Sequence, residues 1–261
     1  MTDLPSILEL LELKPVDGSR YQSQALYEAD WDMYGGQVAA QALYAAGLTV
    51  ADGRLPHSLH AYFVRRGDTR RPTLFQVDSD RDGFSFSARR VTATQDGKVI
   101  FTLAASFTGP SGRGRTMPDQ DVEPVPELPP PDSLAPWRHP KHASFEFRVA
   151  DPERRLPSRY WIRCTTELPD DPLVHAAVFA YTSDISTALV PFETEETVTG
   201  PSLDHAVWFH RPSVMNGWIW QELTTHVVAG GRGWYTVAVR AADGTLMSSV
   251  TQEQLFAASR K

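Results

Sequence analysis

The chain has 261 residues, of which 41% are hydrophobic and 22% charged, and a formal net charge of −7. These proportions belong to a folded globular protein and exclude extended disorder and fibrous repeats. The acidic balance argues against nucleic acid or an anionic membrane as partner, and no window approaches the ~18 uninterrupted apolar residues of a stable membrane insertion.

The first stretch, MTDLPSILELLEL, lacks the basic flank and continuous apolar core of a secretory signal. Ile7, Leu8, Leu10, Leu11 and Leu13 include pairs at helical spacing, so a short amphipathic helix packed on the body is expected. With one cysteine, Cys164, no internal disulfide can form, and the cytoplasm is the expected compartment. The segment GGQVAAQALYAAG at 35–47 reads as a helix that is apolar on most faces through Val38, Ala39, Ala42, Leu43 and Ala46. Strand-like runs follow it: HSLHAYFVR, TLFQVDSD, FSFSARRVTAT and VIFTLAASF.

Composition then changes. From Gly109 to Pro140 nine prolines interrupt the chain, removing backbone donors and predicting a linker without helix or sheet ladders. Beyond it the order of elements recurs. VHAAVFAYTSD at 174–184 reads as a second enclosed helix, with Val174, Ala177, Val178, Phe179 and Tyr181 apolar, and the runs HAVWFHR, WIWQELTTHVV, GWYTVAVRA and TLMSSVTQEQLFA follow. Two landmarks mark the duplication. His60-Ala61 recurs as His205-Ala206, and Asp96-Gly97 recurs as Asp243-Gly244, each Asp-Gly predicting a tight type I′ hairpin. A helix that is apolar all round must be enclosed, so the predicted class is α+β: two tandem copies of a curved antiparallel sheet wrapped around a central helix, a double hotdog. Residues 1–109 form the N-terminal copy, 110–140 the linker and 141–261 the C-terminal copy.

At this point the GGQVAAQALYAA helix, HSLHAYFVRRGD, RDGFSFSARRV, LDHAVWFHRP and the final SVTQEQL together resemble the acyl-CoA thioesterase II family of double-hotdog enzymes. The resemblance covers nearly the whole chain. It implies hydrolysis of fatty acyl-CoA to free fatty acid and CoA, and a homodimer or larger homo-oligomer. In that family an Asp, a Ser or Thr and a Gln of the second hotdog act on a water at the thioester. Carried over to this sequence, the Asp is Asp204 and the Gln is Gln252. The hydroxyl is Thr225 by ungapped spacing, with Thr224 as the alternative one residue away.

The chemistry is consistent with those residue types. A thioester offers an activated acyl carbon and a good thiolate leaving group, so a positioned water, a proton acceptor and stabilisation of the carbonyl oxygen suffice. No cofactor or metal is required. Asp204 would accept the proton, Thr225 would hold the water and the Gln252 amide would orient it. Backbone N–H groups at a helix start built from Gly35, Gly36 and Gln37 would face the substrate oxygen, glycine allowing close approach.

The ordinary structural readings stand beside these. An Asp before a strand commonly caps a turn, Gln252 on an alternating strand would be an exposed polar position, and Thr225 a β-branched strand residue. His205 and His210 read as structural. The aromatics Phe84, Phe86, Trp208, Phe209, Trp218 and Trp220 read as core or seam packing. Nucleophile-elbow, phosphate-loop, dinucleotide and zinc-protease motifs are all absent from the sequence. The rival functions are an enoyl-CoA hydratase of the same fold, which would show an Asp and a His about five residues apart, and a non-catalytic acyl-CoA binding protein.

Overall fold

A computed structural model describes residues 4–29, 31–109, 118–139 and 141–259. Helix α1 (Ile7–Leu11) opens the described chain, held by a reciprocal cap in which the Ser6 hydroxyl accepts from the Glu9 N–H while the Glu9 carboxylate accepts from the Ser6 N–H. The hairpin of β1 (Leu13–Asp17) and β2 (Arg20–Ser23) leads into α2 (Gly35–Gly47), followed by β3 (Leu55–Phe63), β4 (Leu74–Asp82), β5 (Phe86–Gln95) and β6 (Lys98–Thr108). The second half begins with β7 (Ala135–Trp137), β8 (Phe145–Val149) and β9 (Arg159–Cys164), then α3 (Pro172–Thr182). Its remaining strands are β10 (Thr197–Ser202), β11 (Asp204–Phe209), β12 (Ile219–Ala229), β13 (Arg232–Arg240) and β14 (Leu246–Ala258).

The described strands form one antiparallel sheet in the order β1-β2-β4-β5-β6-β3-β11-β14-β13-β12-β9-β8-β7, with β10 also pairing β14. The order is mirrored about the β3–β11 junction: β6 and β14 lie next to it, then β5 and β13, then β4 and β12. This is the expected double hotdog, and the duplication reaches further than the sequence suggested, because β1 and β2 before α2 are mirrored by β8 and β9 before α3.

The two helices run antiparallel inside this sheet. A side chain on Gly36 would collide with the Tyr181 carbonyl, and one on Gly47 would collide with Leu173, so the start of α2 abuts the end of α3 and the reverse. Ala39, Ala42, Leu43 and Ala46 of α2, with Ala177, Val178 and Phe179 of α3, are fully buried, as their apolar faces require. Glycine at both crossings removes the Cβ atoms that would hold the helices apart.

Strand register corrects several expectations. Val91 pairs Leu103 in the first half as Val237 pairs Val250 in the second, and Leu103 pairs Ala61 as Val250 pairs Val207. The structural counterpart of His205 is therefore Leu59, not His60. His60 is exposed and packs edge-on against Trp208, whereas His205 is buried, so the shared His-Ala dipeptide is a coincidence of sequence on opposite faces of the sheet.

Asp96 and Gly97 both have positive φ, as a type I′ turn needs, but at the second hairpin only Gly244 does. There the Gly244 N–H bonds back to Ala241 in a wider turn. The proline-rich segment is not free of ladders either: Ala135–Trp137 pairs with β8, the Trp161 indole donates to the Pro129 carbonyl, and Asp121 bridges to Arg211. Residues 110–117 lie outside the described part of the segment. Of the aromatics expected inside, Trp220 is buried, but Phe84, Phe86 and Trp208 are exposed.

Candidate active site

Four elements from both halves of the chain meet at the point where the start of α2 touches the end of α3. Asp184 follows the last turn of α3, where Ser183 caps the helix. Strand β10 ends on Ser202, and β14 carries Gln252 on its inward face in the alternating row Ser248, Val250, Gln252. Gly35 and Gly36 open α2.

The side chains form one hydrogen-bonded knot. Gln252 Nε2 donates to Asp184 Oδ1 at 2.9 Å and to Ser202 Oγ at 2.5 Å, and Ser202 Oγ donates to Asp184 Oδ1 at 2.9 Å. The Gly36 N–H donates to the Asp184 carboxylate. On the far side of the amide, His205 Nδ1 lies 2.5 Å from Gln252 Oε1, and His205 Nε2 lies 2.8 Å from Ser183 Oγ. Gln252 is only 1% exposed.

Burial raises the pKa of Asp184 above the ordinary carboxylate value, opposed by the neighbouring His205 and by hydrogen bonds from Gln252, Ser202 and Gly36. Burial lowers the pKa of His205, opposed by the Asp184 charge, so the imidazole is held neutral. Tyr34 and Tyr235 are pushed up by burial and secondarily by Asp184, and stay protonated around it. Gly35 has a separate role here: any Cβ on it would stand 2.5 Å from Asp184 Oδ2. Only glycine keeps that side of the carboxylate uncovered.

Of the residues singled out from the sequence, Gln252, Gly35 and Gly36 come together in this knot. The others do not join it. Asp204 Oδ1 accepts from the Glu253 N–H at 2.7 Å, which ties β11 to β14. Thr225 Oγ1 donates to the Ala188 carbonyl at 2.8 Å. Thr225 pairs with Tyr235, which pairs with Gln252, so two strand spacings of ~4.8 Å separate its backbone from that of Gln252. Thr224 is exposed. Gln37 is buried with its side chain accepting from the Tyr27 hydroxyl, and its N–H bonds to the Tyr34 carbonyl. The Gly36 N–H, expected to face a substrate oxygen, is occupied by Asp184.

Asp184 and Ser202 are the residues that sequence reasoning missed. One signal for Asp184 was available. A carboxylate just past a helix C-terminus sits at the negative end of the dipole, where a cation is favoured, so an acid there needs another cause. That cause is α2, whose positive N-terminal end faces it from the other half. Among the described residues no cluster of His, Cys, Asp and Glu is arranged to hold a metal ion, and no helix is long and apolar enough to cross a membrane.

Comparison with known proteins agrees with the fold and the duplication. Residues 27–108 match the family described as the acyl-CoA thioesterase N-terminal domain, and residues 111–256 match its C-terminal domain. The chain is 32% identical to human acyl-coenzyme A thioesterase 8, over 96% of this chain and 89% of that protein. It is 31% identical to acyl-CoA thioesterase 2 of Haemophilus influenzae, over 97% of each. The crystal structure of an acyl-CoA thioesterase II from Mycobacterium marinum superposes with a TM-score of 0.81 at 33% identity, covering 97% of both chains. A sheet mirrored about one junction, two matched domains and similarity along almost the entire length place this chain in the acyl-CoA thioesterase II family of double-hotdog thioester hydrolases.

Proposed function

We propose that the chain hydrolyses fatty acyl-CoA at the knot of Asp184, Ser202 and Gln252. Asp184 is the proton acceptor, Ser202 the hydroxyl and Gln252 the amide that together hold the attacking water. The observation that carries this reading is a half-buried carboxylate bound by two side-chain donors and one backbone N–H at the seam of the two helices. As the water oxygen bonds to the acyl carbon, its proton passes to Asp184. The tetrahedral intermediate then collapses, the carbon–sulfur bond breaks, and the leaving thiolate takes the proton from Asp184, which returns to the carboxylate form. The N-terminal end of α2 lies beside this carboxylate and supplies the positive field in which an acyl oxygen gains charge.

Asp184→Asn keeps the shape of the side chain and removes its basicity, so kcat should fall by about 10²- to 10⁴-fold. Asp204→Ala, which removes the acceptor of the Glu253 N–H, should leave turnover within about threefold while lowering the melting temperature, as expected for a lost hydrogen bond of about 1 kcal/mol. A fully active Asp184→Asn enzyme, assayed by thiol release from acyl-CoA, would refute the assignment. The chain is further proposed to act in the cytoplasm as a homodimer or larger assembly, supported by its single cysteine and by the open edges at β1 and β7. Light scattering on the purified protein tests the assembly.

A further inference from the structure

We propose that His205 is a positioning residue, whose Nδ1–H donates to Gln252 Oε1 and thereby turns the Gln252 NH2 toward Asp184 and Ser202. The inference rests on the reading that those three residues hold the hydrolytic water.

A glutamine side chain can present its amide in two orientations related by a half-turn, with oxygen and nitrogen exchanged. In the orientation found here, the two protons of Nε2 serve Asp184 Oδ1 and Ser202 Oγ. The flipped amide would set its carbonyl oxygen against the carboxylate oxygen and leave both acceptors without a donor. The Asp184 side thus favours the orientation found here. The neighbour on the opposite side bears on it too, because His205 Nδ1 stands 2.5 Å from Oε1. A protonated Nδ1 can donate only to the oxygen, whereas a bare Nδ1 would accept from the NH2 and so select the flipped amide. The proton on one ring nitrogen therefore helps to decide which end of the glutamine faces the site.

The Ser183 hydroxyl can complete that arrangement. It lies 2.8 Å from His205 Nε2 and 3.0 Å from the Ala180 carbonyl. Donation to Nε2 makes the ring neutral with its proton on Nδ1. Donation to Ala180 would instead need Nε2 to carry the proton, which in a neutral ring leaves Nδ1 bare; a Gln252 amide with its NH2 on Asp184 and Ser202 and its oxygen on Nδ1 is incompatible with that arrangement. In the first half the same two strand positions carry Leu59 paired with Ala105, which have no such chemistry. The polar pair is thus not a demand of the fold.

The test compares His205→Asn, whose amide nitrogen reaches the place of Nδ1, with His205→Gln, whose amide reaches only the place of Nε2. His205→Asn should keep kcat within about tenfold, and His205→Gln should lose about 10- to 100-fold in kcat with KM little changed, the scale seen when a group that orients an active-site ligand is removed. Equal kcat in the two variants would overturn the proposal. Should either variant fail to fold, nitrogen-15 NMR of the imidazole in the unmodified protein answers the same question: a proton on Nδ1 supports the proposal and a bare Nδ1 overturns it. Asp184→Asn measured alongside separates the two readings. If it is fully active, the site assignment fails; if it is inactive while His205→Gln keeps full kcat, only the role of His205 fails.

Discussion

The two halves of the molecule share a backbone plan but not an interior. At one cross-strand place in the first half, Leu59 pairs with Ala105; at the equivalent place in the second, His205 faces Gln252. Near the end of α2 the first half instead buries Arg89, whose guanidinium bonds to the Thr49 hydroxyl and carbonyl and to Asp82. That arginine sits where the second half has Tyr235, by the same strand register. One half uses its inner polar groups to satisfy each other and fix a loop. In the other they converge on a carboxylate beside the tip of the neighbouring helix.

The comparison can be broken by making the halves alike. Gln252→Ala copies the first half into the second; it removes both donations from the amide, and kcat should fall by about 10²- to 10³-fold, as when one preorganised donor is lost. The reciprocal Ala105→Gln should give no new activity. A Gln252→Ala enzyme with unchanged turnover would mean that the polar pair is ornamental.

Helix crossings supply a second contrast. A methyl group on Gly36 meets the backbone carbonyl of Tyr181, which cannot swing away, while one on Gly47 meets the flexible Leu173 side chain. Gly36→Ala should destabilise the protein by about 2–3 kcal/mol in denaturant unfolding and disturb the site, and Gly47→Ala by no more than about 1 kcal/mol, because repacking and better helix propensity offset the crowding. Similar losses at both would show the crossings to be equally tight.

The pH profile sharpens the assignment of the base. In the proposed mechanism Asp184 acts as carboxylate, and burial raises its pKa, so the acid limb of kcat should lie above the ordinary carboxylate range and fall about tenfold per pH unit below it. A limb at the ordinary carboxylate pKa would point to a solvated acid such as one on the surface. The smallest effect is expected at Thr225. Its hydroxyl only ties β12 to Ala188, so Thr225→Val should cost about 1 kcal/mol of stability and leave kcat nearly unchanged.

Periodicity made the helices and the eight long strands legible, because enclosed helices and two-faced strands leave direct marks on the order of apolar residues. Gln252 was legible through the SVTQEQL run. The remaining partners were not, since Asp184 lies 68 positions from Gln252 and Ser202 lies 50 from it, and no local pattern records which distant side chains a curved sheet will bring together. Asp204 and Thr225 stand outside the knot of Asp184, Ser202 and Gln252, bonded to the Glu253 N–H and the Ala188 carbonyl. Short strands such as β8 and β9, and the three-residue β7 within a proline-rich segment, carry too few residues for alternation to stand out.

The antiparallel junction of β3 with β11 joins two unequal halves within one covalent chain, and this has a bearing on stoichiometry. Were the same sheet assembled from two identical polypeptides, symmetry would write every substitution twice, and a half-buried acid at one helix end would oblige a second at the other. Fusion lifts that obligation. The molecule bears the desolvation of the Asp184 carboxylate at one helix end only, and the corresponding place at the other end is left to Leu59, Ala105 and a self-contained arginine.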